Sequence, residues 1–231
     1  LTFDLGTGED LPYAASLLVR YGVKATVFVS NEMPSERYGS LFSERNIAYL
    51  RKLGELGCEF GNHTWSHYNL KESLYETSKR RRLALSFVSD GVLDEVSLKL
   101  EFDRVSETFR RRTGFALSPY WRAPYGAFDR RILSAAAKAG YPNHVLWSSN
   151  SKGPLDFYDY VDRRFVRDGR GNIRFPRSLN RNYYSASDML ARMRAWEASD
   201  RDGLRGAISI GHLGTPRKTD KIIYALPEYV S

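Results

Sequence analysis

LTFDLGTGEDLPYAASLLVRYGVKATVFVS, the stretch from Leu1 to Ser30, reads as strand, helix, strand. Leu1–Leu5 and Ala25–Ser30 are short apolar runs, and between them Leu11–Tyr21 spaces its apolar residues at helical intervals. Two strands joined through a helix lie parallel, because a helix carries the chain back to the edge where the first strand began. The rhythm continues with helical patterns at Ile47–Leu56, Leu98–Arg112, Arg130–Ala139 and Ala186–Ala198, and strand candidates at Glu59–Gly61, Tyr120–Arg122, His144–Trp147 and Ala207–Gly211. So many βα units predict an α/β fold, and a (β/α) barrel rather than an open sheet. No fixed-period repeat or low-complexity linker interrupts it, which predicts one domain over residues 1–231. The opening residues read as the second half of a buried strand, so chain is expected upstream of Leu1.

Two stretches break the rhythm and are expected to be rim insertions, near 68–96 and 152–184. The first contains Lys79–Arg82. In the second, Asp168-Gly169-Arg170-Gly171-Asn172 looks like a hairpin turn between Arg163–Arg167 and Ile173–Phe175. Both are rich in Arg and Tyr, and substrate choice would lie there if they border a cleft.

Composition narrows the class. With 231 residues, 42% of them hydrophobic and 27% charged, the chain can bury a sizeable core, which excludes disorder, collagen and coiled coil. The net charge of +8 suits an anionic partner without choosing among nucleic acid, lipid and polysaccharide. A single cysteine, Cys58, excludes a disulfide framework and a Cys-rich zinc ribbon. No run reaches the ~18–20 apolar residues of a membrane span.

Chemistry concentrates at predicted strand ends. His63-Thr64-Trp65-Ser66-His67 follows one of them. On a helical turn, i, i+4 spacing would set the two imidazoles about 5–6 Å apart, close enough to share one metal ion at roughly 2.0–2.1 Å per nitrogen. The same pattern also occurs in plain polar loops. Asp4 ends a strand expected to be buried on both faces, where a carboxylate is costly unless paired or working beside a cation. Trp121-Arg122-Ala123-Pro124-Tyr125-Gly126 puts a charge at another strand end, before a proline turn able to present a backbone N–H. Ile208-Ser209-Ile210-Gly211-His212 adds a histidine after an apolar run. Together Asp4, His63, His67, Arg122 and His212 form the kit for metal-assisted hydrolysis.

In these motifs the chain resembles the polysaccharide deacetylases with a NodB-type domain, carbohydrate esterase family 4. LTFD resembles the family's first motif, HTWSH fits H-[ST]-x-x-H, WRAPYG matches R-x-P-Y, Val145-Leu146-Trp147 resembles the fourth motif and Ile208–His212 the last. The resemblance implies that His63 and His67 hold a divalent metal, usually zinc, and that Asp4 is the general base. It implies Arg122 as the residue that tunes Asp4, the Tyr125 N–H as oxyanion donor and His212 as general acid. Trp147, Ile210 and Pro124 would border the substrate, and Thr64 would steady the loop by hydrogen bonds. The implied substrate is an N-acetylated polysaccharide, peptidoglycan, chitin-like or an exopolysaccharide. The implied setting is extracytoplasmic (secreted, periplasmic or at the cell surface).

One departure stands out. The family usually follows its first Asp with a second that binds the metal, and here that residue is Leu5. The loop Leu5–Asp10 resembles a shortened form of a variant first loop, so Asp10 could return a carboxylate to the metal. Alternatively Asp10 caps the helix that begins near Pro12. Three other readings fare worse. Gly6-Thr7-Gly8 lacks the third glycine of a dinucleotide loop, since Leu11 occupies it. No histidine follows His212, as a serine hydrolase would require. No nucleic acid is expected, since clusters such as Arg110–Arg112 are usually a solvated helix face. A carbohydrate-binding relative without turnover and a small-molecule amide or imide hydrolase remain as alternatives.

Overall fold

A computed structural model describes residues 1–31, 41–71, 95–215 and 217–230. Lys79–Arg82 and most of the stretch 68–96 lie outside the described residues. The opening stretch folds as read: β1 (Thr2–Leu5), α1 (Leu11–Tyr21) and β2 (Thr26–Val29). Next come α2 (Glu44–Leu56), β3 (Glu59–Asn62), α3 (Glu95–Thr113), β4 (Tyr120–Trp121), α4 (Arg130–Lys138) and β5 (Asn143–His144). Two short hairpins follow, β6 (Ser149–Asn150) with β7 (Gly153–Pro154) and β8 (Val166–Arg167) with β9 (Ile173–Arg174). The chain then forms α5 (Ala186–Ser199), β10 (Ile210–Leu213) and α6 (Ile222–Val230).

The central sheet is six-stranded and parallel, in the order β10-β1-β2-β3-β4-β5. Among the described residues no ladder joins the edge strands β5 and β10, so the expected barrel is deformed to the point of being open. Residues 145–157 span the gap. The Ser148 amide donates to the Ile208 carbonyl, and Asp156 bridges to Ile210, with the Phe157 amide donating to Ile210 and the Ile210 amide to Leu155. This crossing explains two boundary shifts. Val145–Trp147 was expected to be strand but leaves the sheet to make the span, and before β10 begins Ile208 pairs with Ser148 of the span.

Local signals place most helix ends. Ser43 caps α2 by accepting from the Asn46 amide, and Gly57 ends it in the left-handed conformation. Ser185 and Asp188 form a reciprocal capping box on α5. The helices cover the sheet with a core that includes Phe3, Leu5, Leu18, Val27, Leu50 and Phe109, all fully or almost fully buried.

Asp10 departs from both of its expected roles. It occupies the N-cap position of α1, but its side chain makes no capping bond. Both carboxylate oxygens instead accept from Lys221 Nζ, at 2.7 and 2.8 Å, and Oδ2 also accepts from the Gly214 amide at 2.9 Å. Asp10 and Lys221 are both buried, so the pair ties the loop after β1 to the loop after β10. Replacing Asp10 with Ala leaves the buried Lys221 ammonium only the Thr215 carbonyl at 3.3 Å and Glu9 at 4.0 Å, and the expected cost is about 3 kcal/mol. Chemical denaturation of Asp10→Ala checks this, and a loss under about 1 kcal/mol would show the pair to be dispensable.

Candidate active site

Parallel register brings the strand-end residues to one edge. Asp4 on β1 lies opposite His212 on β10 and Phe28 on β2, while His63 follows β3 and Arg122 follows β4. They surround a cavity of ≈ 320 Å³ whose walls include Asp4, His63, His67, Tyr125, Trp147 and His212. Ile210 also lines it, as expected. Arg122 and Pro124 do not. Arg122 is fully buried beneath Asp4, and Pro124 begins the 3₁₀ turn that carries Tyr125.

Arg122 sets the state of Asp4. Its Nη1 donates to Asp4 Oδ1 at 2.8 Å and to Thr2 Oγ1 at 2.9 Å, and its Nε donates to the Val145 carbonyl. The guanidinium lies 4.1 Å over the Phe28 ring, and Gly61 leaves the space for that ring, since a Cβ there would sit 2.5 Å from Phe28 Cε1. Burial alone would raise the Asp4 pKa, but His63, Arg122 and His212 together hold it below the ordinary carboxylate value.

His63 Nδ1 meets the Arg122 carbonyl at 2.9 Å. A carbonyl only accepts, so Nδ1 carries the hydrogen. Burial, with help from His67 and Arg122, outweighs Asp4 and brings the pKa down to about 4, leaving a neutral ring near pH 7. Its Nε2 is then a bare lone pair facing Asp4 Oδ2 at 3.3 Å. Acceptor against carboxylate is an arrangement that suits a cation, and a backbone carbonyl holding the far nitrogen is the usual support of a metal-ligating histidine. The His67 ring lies 4.9 Å from that of His63. The donor set therefore fits a divalent ion at two imidazoles. It fits less at a third position: Leu5 is buried in the core, Asp10 pairs with Lys221, and among the described residues no group of three His, Cys, Asp or Glu is placed to hold a metal.

The imidazoles converge without the helical turn that the spacing suggested. Residues 63–67 form a loop in which Thr64 (φ 63°) and His67 (φ 48°) adopt left-handed backbone. Such strain persists only where the surroundings impose it. Here Asn62 Oδ1 accepts from the Thr64 amide, Asn62 Nδ2 donates to the Phe102 carbonyl, and Glu101 accepts from both the Ser66 amide and the Ser66 hydroxyl. Helix α3 thus steadies the loop. The Thr64 hydroxyl, expected to do so, has no hydrogen-bond partner among the described residues.

His212 has a partner that sequence reasoning missed. Asp159 Oδ1 lies 2.7 Å from His212 Nδ1, and Oδ2 accepts the His212 amide at 2.8 Å. Burial opposes a charged ring, but Asp159, reinforced by Asp4 and Asp156, more than offsets it and lifts the pKa to about 9. Asp156, also unforeseen, is a second carboxylate on the cavity wall, and its own pKa is raised by burial. The only available signal was the acidic, Tyr-rich run Asp156–Asp162 in a segment read as an insertion. Across the cavity Tyr125 adopts φ 60° and leaves its ring exposed. Gly126 is needed beside it because a Cβ would meet Trp147 at 2.7 Å.

Residues 1–144 match the family model described as polysaccharide deacetylase. The chain is 26% identical over 151 residues to an uncharacterized 30.6 kDa protein of Geobacillus stearothermophilus, a match covering 64% of this chain and 45% of that protein. The chain thus spans under half the length of that curated relative. A similar solved structure is the chitin deacetylase of the fungal pathogen Colletotrichum lindemuthianum, with TM-score 0.63 and 20% identity over 99% of this chain and 79% of that one. A family 4 carbohydrate esterase from Streptomyces lividans in complex with acetate gives 0.58 and 17% over 99% and 83%. A pseudoenzyme of carbohydrate esterase family 4 from Bacillus anthracis gives 0.58 and 15% over 100% and 59%. At such identities the likeness is one of fold.

The histidines make stability depend on pH in opposite directions. His144, wedged against Trp121 and Phe128, has its pKa lowered from 6.5 to about 4 by burial and by Arg122. The unfolded chain takes up that proton first, so the His144 contribution is full above 6.5 and is lost as pH falls towards about 4. His212, raised from 6.5 to about 9, contributes fully below 6.5, and that contribution is lost as pH rises through about 9. Melting temperatures across this range should show both slopes. His144→Gln should flatten the acid one and His212→Gln the alkaline one, and unchanged slopes would contradict these assignments.

Proposed function

Because the chain belongs to the polysaccharide deacetylase family, whose model matches residues 1–144, we propose that it is a metal-dependent hydrolase that removes acetyl groups from the N-acetylated sugars of a surface polysaccharide. The observation that carries this reading is a pair of oppositely poised groups across one cavity. Asp4 is held ionised by Arg122 at 2.8 Å, and His212 is held protonated by Asp159 at 2.7 Å.

His63 and His67 would hold the metal, zinc being the usual ion in the family the sequence resembles. When bound, a divalent ion supplies Lewis acidity that acidifies water and polarises an acyl oxygen. The side chains do the rest. Asp4 accepts a proton from the attacking water as its oxygen bonds to the amide carbon. The backbone N–H of Tyr125, at the cavity rim, faces the oxygen on which negative charge develops. His212 then gives its proton to the nitrogen as the C–N bond breaks, so that acetate and a free amine leave. Arg122 and Asp159 are positioning residues, each fixing the protonation state of its neighbour. Trp147 and Ile210 form the apolar wall suited to an acetyl methyl group. An extracytoplasmic setting follows from such a substrate. Among the described residues no helix is long and apolar enough to cross a membrane.

A carbohydrate-binding role without turnover is the reading that Leu5 favours, since leucine cannot ligate and no three-residue metal group stands in its place among the described residues. Elemental analysis together with acetate release from chitin oligomers and peptidoglycan separates the two. Zinc-loaded protein should release acetate. His63→Ala should lose both metal and turnover, whereas Asp4→Asn should keep the metal and lose about 10²–10⁴-fold in rate. Metal uptake with no acetate from any substrate would favour the binding role. The rate should fall as pH rises through about 9, where His212 loses its proton. Asp159→Asn should move that alkaline limb to lower pH, and a limb that stays put would remove His212 from the role of acid.

A further inference from the structure

Residues 161–184 carry seven arginines, no lysine or glutamate and only two aspartates, a net +5 within a chain whose total is +8. All seven arginines are exposed. Arg174 pairs with Asp168 at 2.9 Å, and among the described residues the other six have no ion pair. The charge is therefore concentrated on one feature and left largely unneutralised.

That feature is a built hairpin. The β8–β9 ladder closes it, and Asp168 holds its turn by accepting from the amides of Arg170 and Asn172. Asn180 staples its base, accepting from the Arg164 amide and donating to the Arg164 and Pro176 carbonyls. Phe165 and Phe175 meet edge to face at 6.3 Å, with Arg163 4.0 Å over Phe175 and Arg167 5.9 Å over Phe165. The buried Arg217 anchors the root by donating to the carbonyls of Tyr158, Val161 and Tyr184. From that root Tyr160 reaches the cavity, its exposed ring lying edge-on to His212 at 5.1 Å.

We propose that this hairpin is a docking surface for an acidic polysaccharide, a polymer bearing sugar carboxylates, that leads into the cavity. The inference rests on the deacetylase reading insofar as it takes that polymer to be the substrate. Guanidinium groups match carboxylates through two parallel hydrogen bonds, and an arginine-only surface favours that planar recognition over diffuse attraction. The rings of Phe165, Phe175 and Tyr160 offer apolar faces for pyranose rings along the same path. A membrane would call for one continuous apolar face, whereas here the phenyl rings are interleaved with guanidinium groups.

The test compares the parent protein with the variant R164S/R170S/R177S/R181S, whose substitutions spare the catalytic groups and the Phe165–Phe175 stack and keep the backbone bonds that Arg164 and Arg170 make within the hairpin. Calorimetric titration with hexagalacturonate should show binding that weakens as NaCl is added, and the variant should bind about tenfold more weakly or worse. Acetate release from neutral N,N′-diacetylchitobiose by the zinc-loaded proteins should be the same for both. Equal affinities for hexagalacturonate would overturn the proposal. So would arginine-dependent binding to phosphatidylglycerol vesicles or to duplex DNA with none to hexagalacturonate. Because binding is read without turnover, a zinc-loaded parent protein that takes up the uronate but releases no acetate from chitin oligomers or peptidoglycan would sink the deacetylase reading and leave the docking surface standing.

Discussion

The Arg122 guanidinium and the Asp4 carboxylate meet at 2.8 Å, and both residues are buried. Desolvating two charges costs several kcal/mol per ion, so such a pair persists only where geometry and further hydrogen bonds offset the cost. Thr2, the Val145 carbonyl and the Phe28 ring supply part of that support, and each comes from a different strand or strand end. The sheet register is therefore a condition for the pair to exist. The pair in turn sets the charge that His63 and His212 face.

Charge is laid out in opposition around the cavity. His63 is neutral because burial outweighs Asp4, and His212 is protonated because Asp159 outweighs burial. Both rings lie near the same aspartate, so proximity to Asp4 alone does not separate them. The difference lies in the second partner: a backbone carbonyl for His63 and a carboxylate for His212. One ring is thereby suited to ligation and the other to proton donation.

Part of the site lies in the stretch expected to be the second rim insertion. The stretch 152–184 supplies Asp156, Asp159 and Tyr160 to the cavity and then projects the arginine hairpin. Its hairpin turn was legible in the sequence because Asp, Gly and Asn have few other uses in that arrangement. Its contribution to the site was not, because nothing local says that a carboxylate in an irregular segment will return to a histidine 53 residues further along.

The sequence alone determined the alternation of strands and helices, through the period of its apolar residues, and it determined which residue types stand at the strand ends. Asp4, His63, His67, Arg122 and His212 could be named because strand ends in a parallel sheet share one edge whatever the details of packing. Only the tertiary structure decided who pairs with whom. Asp10 goes to Lys221 rather than to the imidazoles or the helix cap, Glu101 and Asn62 rather than Thr64 hold the histidine loop, and the sheet stays open with residues 145–157 across its gap. Those outcomes depend on hydrogen bonds between groups far apart in the chain. Local periodicity carries no information about them, because it records which face of an element is buried and not what that face will meet.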